Sequence, residues 1–188
     1  GTILIDAGAN ATDLEVSADT TLSGTGTVVL SGPLAGINGT DNRRLTVGAG
    51  QTIRGQGRLG QSVIWVTNNG LIAADVNAAT LTLTADLTAG SVAFVNTGVI
   101  RAANGGIAAL SGLEGDFDNT GGTIEALDAS TVALITNAVI RGGILSTSGT
   151  GSIQAAASQS VTLADLSNTG LLVAASGSDL GIRGMIAN

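Results

Sequence analysis

An all-β solenoid, a coil of short parallel strands repeated along one axis, is the fold class that this sequence predicts. Three observations predict it. A turn unit of the type Asn-x-Gly, followed by an alternating apolar stretch, recurs through the chain. Short runs of Val, Ile, Leu and Thr alternate with small or polar residues, which is strand periodicity, and Gly and Asn pairs separate them. The 188 residues include 29 Gly, yet aromatics make up 2% and charged residues 11%. At 44% apolar the chain is too hydrophobic for disorder, and with a single Pro and no Gly at every third position it is not collagen.

The repeat carries most of the argument. Asn68-Asn69-Gly70 precedes Leu-Ile-Ala-Ala, Asn96-Thr97-Gly98 precedes Val-Ile-Arg-Ala, and Asn119-Thr120-Gly121 precedes Gly-Thr-Ile-Glu-Ala. A degenerate copy, Gly149-Thr150-Gly151, leads into Ser-Ile-Gln-Ala, and Asn168-Thr169-Gly170 leads into Leu-Leu-Val-Ala. The first two spacings are 28 and 23 residues. A period of about 20 to 30 residues holding several short strands is that of a solenoid. Each period forms one coil of three strands, and each strand stacks in parallel on its copy about 4.8 Å away. At about 23 residues per coil the chain makes roughly eight coils, a rod about 40 Å long. Val, Ile, Leu and Ala fill the narrow interior, Gly and Asn take the corners, and stacked Asn side chains form amide ladders between coils.

Individual elements follow in order. Thr27–Leu30, Leu45–Val47, Val63–Val66, Leu71–Ala73, Thr80–Thr84, Val92–Val95, Val99–Ala102, Thr131–Ile135, Ser152–Ala155 and Val161–Leu163 read as strands. Gly48 to Gly60 packs a strand between two tight turns, whereas Pro33 and Gly36–Asn42 mark a protruding loop. Phe94 and Phe117 each sit two residues before an Asn-Thr-Gly unit and Trp65 sits three before Asn68, so the three rings are expected to stack in the core of consecutive coils.

Composition excludes much chemistry. The chain has no His, Cys, Tyr or Lys, and its seven basic residues are all Arg. There is accordingly no thiolate nucleophile, no Ser-His-Asp triad, no Schiff-base or P-loop lysine and no soft zinc ligand. A net charge of -7 disfavours nucleic acid and anionic membrane as partners. No apolar run is long enough to span a bilayer.

Candidate sites remain. Asp116, Asp118 and Asn119 place oxygen ligands close together, as a Ca²⁺ site requires, but without the spacing of known calcium loops. A solvated corner is the plainer reading. Carboxylate pairs for polysaccharide cleavage are Asp75 with Asp86, Glu125 with Asp128, and Glu114 with Asp116, though such clefts usually add aromatic platforms. Arg43, Arg44, Arg54 and Arg58 lie within 16 positions and, on one face, would grip an acidic glycan or a neighbouring subunit. Pairing with Asp41 is their alternative. Thr80, Thr82 and Thr84 share a strand face, as in ice-binding solenoids, but Thr131-Val-Ala and Val161-Thr-Leu do not continue the array. Gly55-Gln-Gly-Arg-Leu-Gly60 spells a dinucleotide fingerprint without the helix that motif needs.

Leu45-Thr-Val-Gly-Ala-Gly-Gln-Thr-Ile-Arg-Gly-Gln-Gly-Arg-Leu-Gly60, followed by Asn69-Gly70-Leu-Ile-Ala, resembles the passenger regions of autotransporters and filamentous-haemagglutinin-type bacterial surface proteins. The resemblance covers nearly the whole chain and lies in turn spacing. It implies a right-handed parallel β-helix and an exported, extracellular or cell-surface, structural or adhesive role, with no site residues to transfer. The expectation is one solenoid domain over residues 1–188, a processed part or excerpt of a longer exported protein, with no enzymatic activity and no cofactor. Its partners are further coils of the same chain or other copies at open coil ends, and a host or matrix glycan. The alternatives are a glycan-binding or polysaccharide-cleaving β-helix and, third, an ice-binding solenoid.

Overall fold

The computed structural model describes residues 1–40, 42–61, 64–85, 92–113 and 115–188. Strands follow one another in coils. Coil one holds β1 (Thr2–Asp6), β2 (Thr12–Val16) and β3 (Thr20–Leu22), and coil two β4 (Thr27–Ser31), β5 (Ala35–Gly39) and β6 (Arg44–Val47). Coil three holds β7 (Thr52–Gly55), β8 (Gly57–Gln61) and β9 (Trp65–Asn68), and coil four β10 (Leu71–Ala74), β11 (Thr80–Thr84) and β12 (Val92–Asn96). Coil five holds β13 (Val99–Ala102), β14 (Ile107–Ser111) and β15 (Asp116–Asp118), and coil six β16 (Thr123–Ala126), β17 (Thr131–Ile135) and β18 (Val139–Arg141). Then come β19 (Ile144–Thr147), β20 (Ser152–Ala155), β21 (Ser160–Asn168), β22 (Leu172–Ala174) and β23 (Asp179–Ala187). All pairings are parallel, each strand bonding to its counterpart one coil away.

Three stacks result. Stack A begins β1, β4, β7 and stack C begins β3, β6, β9, while stack B runs β2-β5-β8-β11-β14-β17-β20-β22. The long β21 turns a corner: its first half pairs with β18 in stack C and its second half with β19 in stack A. The fold is a parallel β-solenoid of about eight turns with three strands per turn, as the repeat and the strand periodicity predict.

Alternation places one row of side chains inside each stack. Val28, Ile53, Ile72, Ile100, Ile124 and Leu145 are successive register partners in stack A, and all are buried. Stack B contributes Ile37, Leu59, Leu83, Leu110 and Leu134 to the same core. An inward Val, Leu or Ile contributes about 1.5–3 kcal/mol by burial. Ile124→Ala would open a cavity between Ile100 and Leu145.

Two corner features differ from expectation. Ala35–Gly39 is a strand, not a protruding loop. It pairs with β2 and β8, and its glycines are used for packing: the Asp13 side chain lies over Gly36 and Ile64 packs on Gly39. β7 and β8 are joined by Gln56 alone, between Gly55 and Gly57 at φ of 117° and 127°. A Cβ at either glycine would collide with a carbonyl of the preceding coil, of Leu30 or Ala35, so only Gly allows so tight a corner.

The amide ladder is present and short. Asn68, Asn96 and Asn119 sit at the C-to-A corner, exposed 0%, 1% and 0%. Asn68 Nδ2 donates to Asn96 Oδ1 at 2.7 Å, and Asn96 Nδ2 donates to Asn119 Oδ1 at 2.6 Å. Asn119 Nδ2 then donates to the Gly142 carbonyl at 3.3 Å, where the next Asn would stand. The last two sequence copies are out of phase with this ladder. Ser152–Ala155 and Leu172–Ala174 lie in stack B, whereas Leu71–Ala74, Val99–Ala102 and Thr123–Ala126 lie in stack A. The stack-A successor of Thr123–Ala126 is Ile144–Thr147.

Both ends are open. Leu163 is 1% exposed, but its register partner Ile182, one coil on, is 60% exposed. Leu171 and Met185 are exposed beside it, and Ile3 and Leu4 are exposed at the other end.

Asn96→Ala is expected to destabilise the fold by about 2–3 kcal/mol, because it removes a buried side chain, leaves buried Asn119 Oδ1 without its donor and takes away the shortest acceptor of Asn68 Nδ2. Asn69→Ala, on the exposed side of the same corner, should stay within about 0.5 kcal/mol. Urea midpoints of the two variants against the parent check this; equal losses would refute the ladder as a stabilising element.

Candidate functional site

A coil of about 23 residues wraps three faces, so neighbours in sequence need not be neighbours on the surface. The arginine cluster shows this. Arg43 is exposed at the corner before β6, Arg44 faces outward on stack C, Arg54 on stack A and Arg58 on stack B. The four do not form one patch. Arg44 lies over the Trp65 ring at 4.8 Å and donates to Thr67 Oγ1 at 2.7 Å. Arg58 follows Asp13 and Gly36 in one outward row, and its Nε is buried without a partner among the described residues. Asp41, the expected partner of the cluster, lies outside the described residues.

Phe94 and Phe117 do stack, with ring centroids 5.0 Å apart and both side chains buried. Trp65 does not join them. The register partner of Phe94 is Val66, so Trp65 stands on the outward side of β9 and pairs with Arg44 across the ladder. The physical reason is the strand period of two: three residues before Asn68 is the opposite face from two before it.

The suggested calcium ligands diverge. Asp116 accepts from Arg141 Nε at 2.7 Å, Asp118 Oδ1 accepts from the Thr120 N–H at 2.9 Å, and Asn119 points inward into the ladder. Among the carboxylate pairs, Asp86 and Glu114 lie outside the described residues. Glu125 is held by Arg101 at 2.6 Å and Asp128 by Thr150, each across one coil step. Thr82 has Arg58 and Ala109 as register partners, so the threonine face of β11 continues into neither neighbouring coil.

What the structure assembles instead lies on the outer face of stack A. Arg54, Ala73 and Arg101 are register partners in coils three, four and five. The small Ala73 between two arginines leaves a depression of about 520 Å³. Asp75, at the corner after β10, closes one side. Its Oδ2 takes Arg54 Nε at 2.7 Å and Nη2 at 2.6 Å, and its side chain is 10% exposed. Its Oδ1 is buried and has no partner among the described residues. Leu71, Ala103 and Leu127 give the depression apolar walls, and Thr27, Thr52 and Asn104 give it neutral hydrogen-bonding groups. Sequence reasoning named Arg54 and Asp75 for other sites and missed Ala73, Arg101 and Asn104. The signal was present: Arg54, Ala73 and Arg101 are each the third residue of a stack-A strand, visible once the coils are in phase.

No family model, curated protein or solved structure matches this chain.

Asp128 has a displaced titration. The Thr150 backbone N–H, at 2.8 Å, and then its hydroxyl, at 2.9 Å, hold the carboxyl below its usual 3.8. A lowered folded-state pKa gives stability that is full above the unfolded value and lost as pH falls through the folded one. The thermal midpoint of the parent should therefore exceed that of Asp128→Ala by a constant margin above about pH 5, and the margin should shrink below 3.8. A margin unchanged down to pH 2 (approximately complete protonation) would refute the charge-assisted corner.

Proposed function

We propose that this chain is a structural segment of an elongated surface protein, a stalk whose coils continue into further coils at its open ends. The observation that carries this reading is the inward row at the last coil. Positions buried at Leu163 and Leu166 recur one coil on as the exposed Ile182 and the half-buried Ile186, lining an apolar depression of about 570 Å³. Another parallel coil stacked there would bury them as every earlier coil is buried. Exposed strand edges add to the drive, since their N–H and C=O groups are unpaired. A second copy would satisfy the same surface, which makes end-to-end filaments the variant of this reading.

Further support is chemical. The carboxylates named as cleavage candidates that fall in the described residues, Asp75, Glu125, Asp128 and Asp116, are each engaged with an Arg or Thr of a neighbouring coil. Such pairs hold coils in register; they are not poised for proton transfer. The turn-spacing resemblance to exported bacterial passengers supports a location outside the cell and a structural rather than an enzymatic role.

The test is a substitution at the open end in the natural full-length protein. If a coil covers Ile182, Ile182→Asp should cost several kcal/mol, as a buried charge does, and lower the unfolding midpoint sharply. Electron microscopy of the native material should show rods or fibres lengthening by about 4.8 Å per coil. An Ile182→Asp protein with an unchanged midpoint and compact single particles would overturn the proposal.

A further inference from the structure

Asparagine followed by glycine is among the least durable pairs in a polypeptide, because a glycine nitrogen with no Cβ beside it can reach the Cγ of the preceding Asn. The chain has three such pairs, Asn38-Gly39, Asn69-Gly70 and Asn104-Gly105. Coil stacking treats them differently. Asn38-Gly39 lies inside β5, paired on both edges, with Gly39 buried. Asn69-Gly70 is held twice at the ladder corner. The Gly70 N–H donates to Asn68 Oδ1 at 3.1 Å, and Asn69 Oδ1 accepts from Thr97 Oγ1 at 2.8 Å. Asn104-Gly105 is held once. It makes the corner between β13 and β14, where Asn104 is exposed with φ of 54°. The Gly105 N–H donates to Ser130 Oγ of the next coil at 3.0 Å, and the Asn104 amide has no hydrogen bond among the described residues. Ser130 is buried, and its hydroxyl donates in turn to the Asp128 carbonyl at 3.1 Å, which fixes its oxygen toward Gly105. The same device recurs one coil on, where the Ala129 N–H donates to Thr150 Oγ1 at 3.1 Å.

We propose that Asn104 is a self-modification site, converted through a succinimide to aspartate or isoaspartate, and that Ser130 sets its rate. The Gly105 nitrogen gives up its proton to solvent and attacks Asn104 Cγ. The new C–N bond closes the ring, the Cγ–Nδ2 bond breaks, and Nδ2 leaves as ammonia, taking a proton back. A water molecule then opens the ring at either carbonyl. Asn and water become Asp and ammonia, with no other reactant. While the Gly105 N–H is bonded to Ser130, the nitrogen keeps its proton and the peptide plane is fixed, so each attack waits for that bond to open. The corner cannot shed the vulnerable pair by replacing its glycine. Gly105 has φ of 77°, and a Cβ there would collide with Asn77 Oδ1. The product adds one negative charge to the corner and, as isoaspartate, one methylene to its main chain. The site lies at a corner of coil five, so its test and the test of the open ends fail independently.

The experiment is a timed incubation of the whole chain in mildly alkaline buffer, with ammonia loss at each Asn-Gly pair read by peptide mass and isoaspartate content. Asn104 should be modified fastest of the three, yet about tenfold more slowly than in an isolated peptide of residues 101–108. Ser130→Ala removes one hydrogen bond at one corner. It should speed the loss at Asn104 about five- to tenfold and leave Asn69 at its parent rate. Asn69 is thus the internal control for general loosening. If Ser130→Ala speeds both sites alike, unfolding rather than the corner bond sets the rate, and the proposal falls. An Asn104 rate unchanged in Ser130→Ala, or Asn69 modified as fast as Asn104 in the parent, would overturn it as well.

Discussion

Everything in this molecule depends on parallel, in-register stacking of each strand on its copy one coil away. In that arrangement a side chain has two nearest neighbours on its own face, above and below, at about 4.8 Å. An inward residue is therefore tolerated where the side chains above and below it are apolar and leave it room. The inward rows obey this with Ile on Ile and Leu on Leu, and Phe94 on Phe117 is the one aromatic pair that the interior accepts. Buried polar groups follow the polar counterpart of this rule. An Asn amide is both donor and acceptor, so it can bond to an identical amide below and another above, which Asn68, Asn96 and Asn119 do.

The fold was legible in the sequence because this constraint repeats. Period, strand length, corner residues and the shortage of aromatics all report the same coil. The surface was less legible, because a linear repeat gives the spacing of coils but not the phase of the faces within them. Trp65 shows the failure at its smallest scale: one residue of offset from the Phe94 and Phe117 pattern turned a core ring into an outward one. The arginines from 43 to 58 show it at a larger scale, since 16 positions span most of a coil and so all three faces. Reading Gly36–Asn42 as a loop failed for a different reason. Glycine there does not make a turn; it makes room for Asp13 and Ile64 of adjacent coils, a packing role that composition cannot distinguish from a turn role.

The misphased repeat is the more instructive case. Asn168-Thr169-Gly170 looks like Asn96-Thr97-Gly98 and has the same local bonding: Nδ2 reaches the Gly carbonyl two residues on, at 3.1 and 3.3 Å, and the Asn of the next coil at 2.7 and 2.6 Å. Yet Asn168 pairs in register with Leu145 and lies at the end of a stack-A strand, whereas Asn96 ends a stack-C strand. The unit thus encodes a corner, and any corner of the coil will do. Between the two ladders, Gly142 takes the place of the Asn at the old corner, and Asn168 with Asn188 starts a new ladder at another. A coil needs buried corner amides satisfied, but nothing in the stacking rule fixes which corner carries them.

That freedom extends to the outward rows and separates what holds this protein together from what shapes its surface. Inward positions are packed by neighbours above and below, so apolar character runs along the whole row while side-chain size varies within it, as from Leu81 to Ala108 to Val132. Outward positions are bound only by solvent and by ion pairs that reach one coil step, such as Arg101 with Glu125. Surface pairs of this kind contribute at most about 1 kcal/mol each, so they can be rearranged without loss of the fold. A small outward residue between larger register neighbours, as Ala73 is between Arg54 and Arg101, leaves a depression whose walls are those neighbours. The core residues on either side of it, Ile72 and Ala74, face the other way and are untouched. In a solenoid, a surface depression therefore need not be folded into being from distant segments. It can be made by omission at one position of a row, and the flanking coils supply its chemistry.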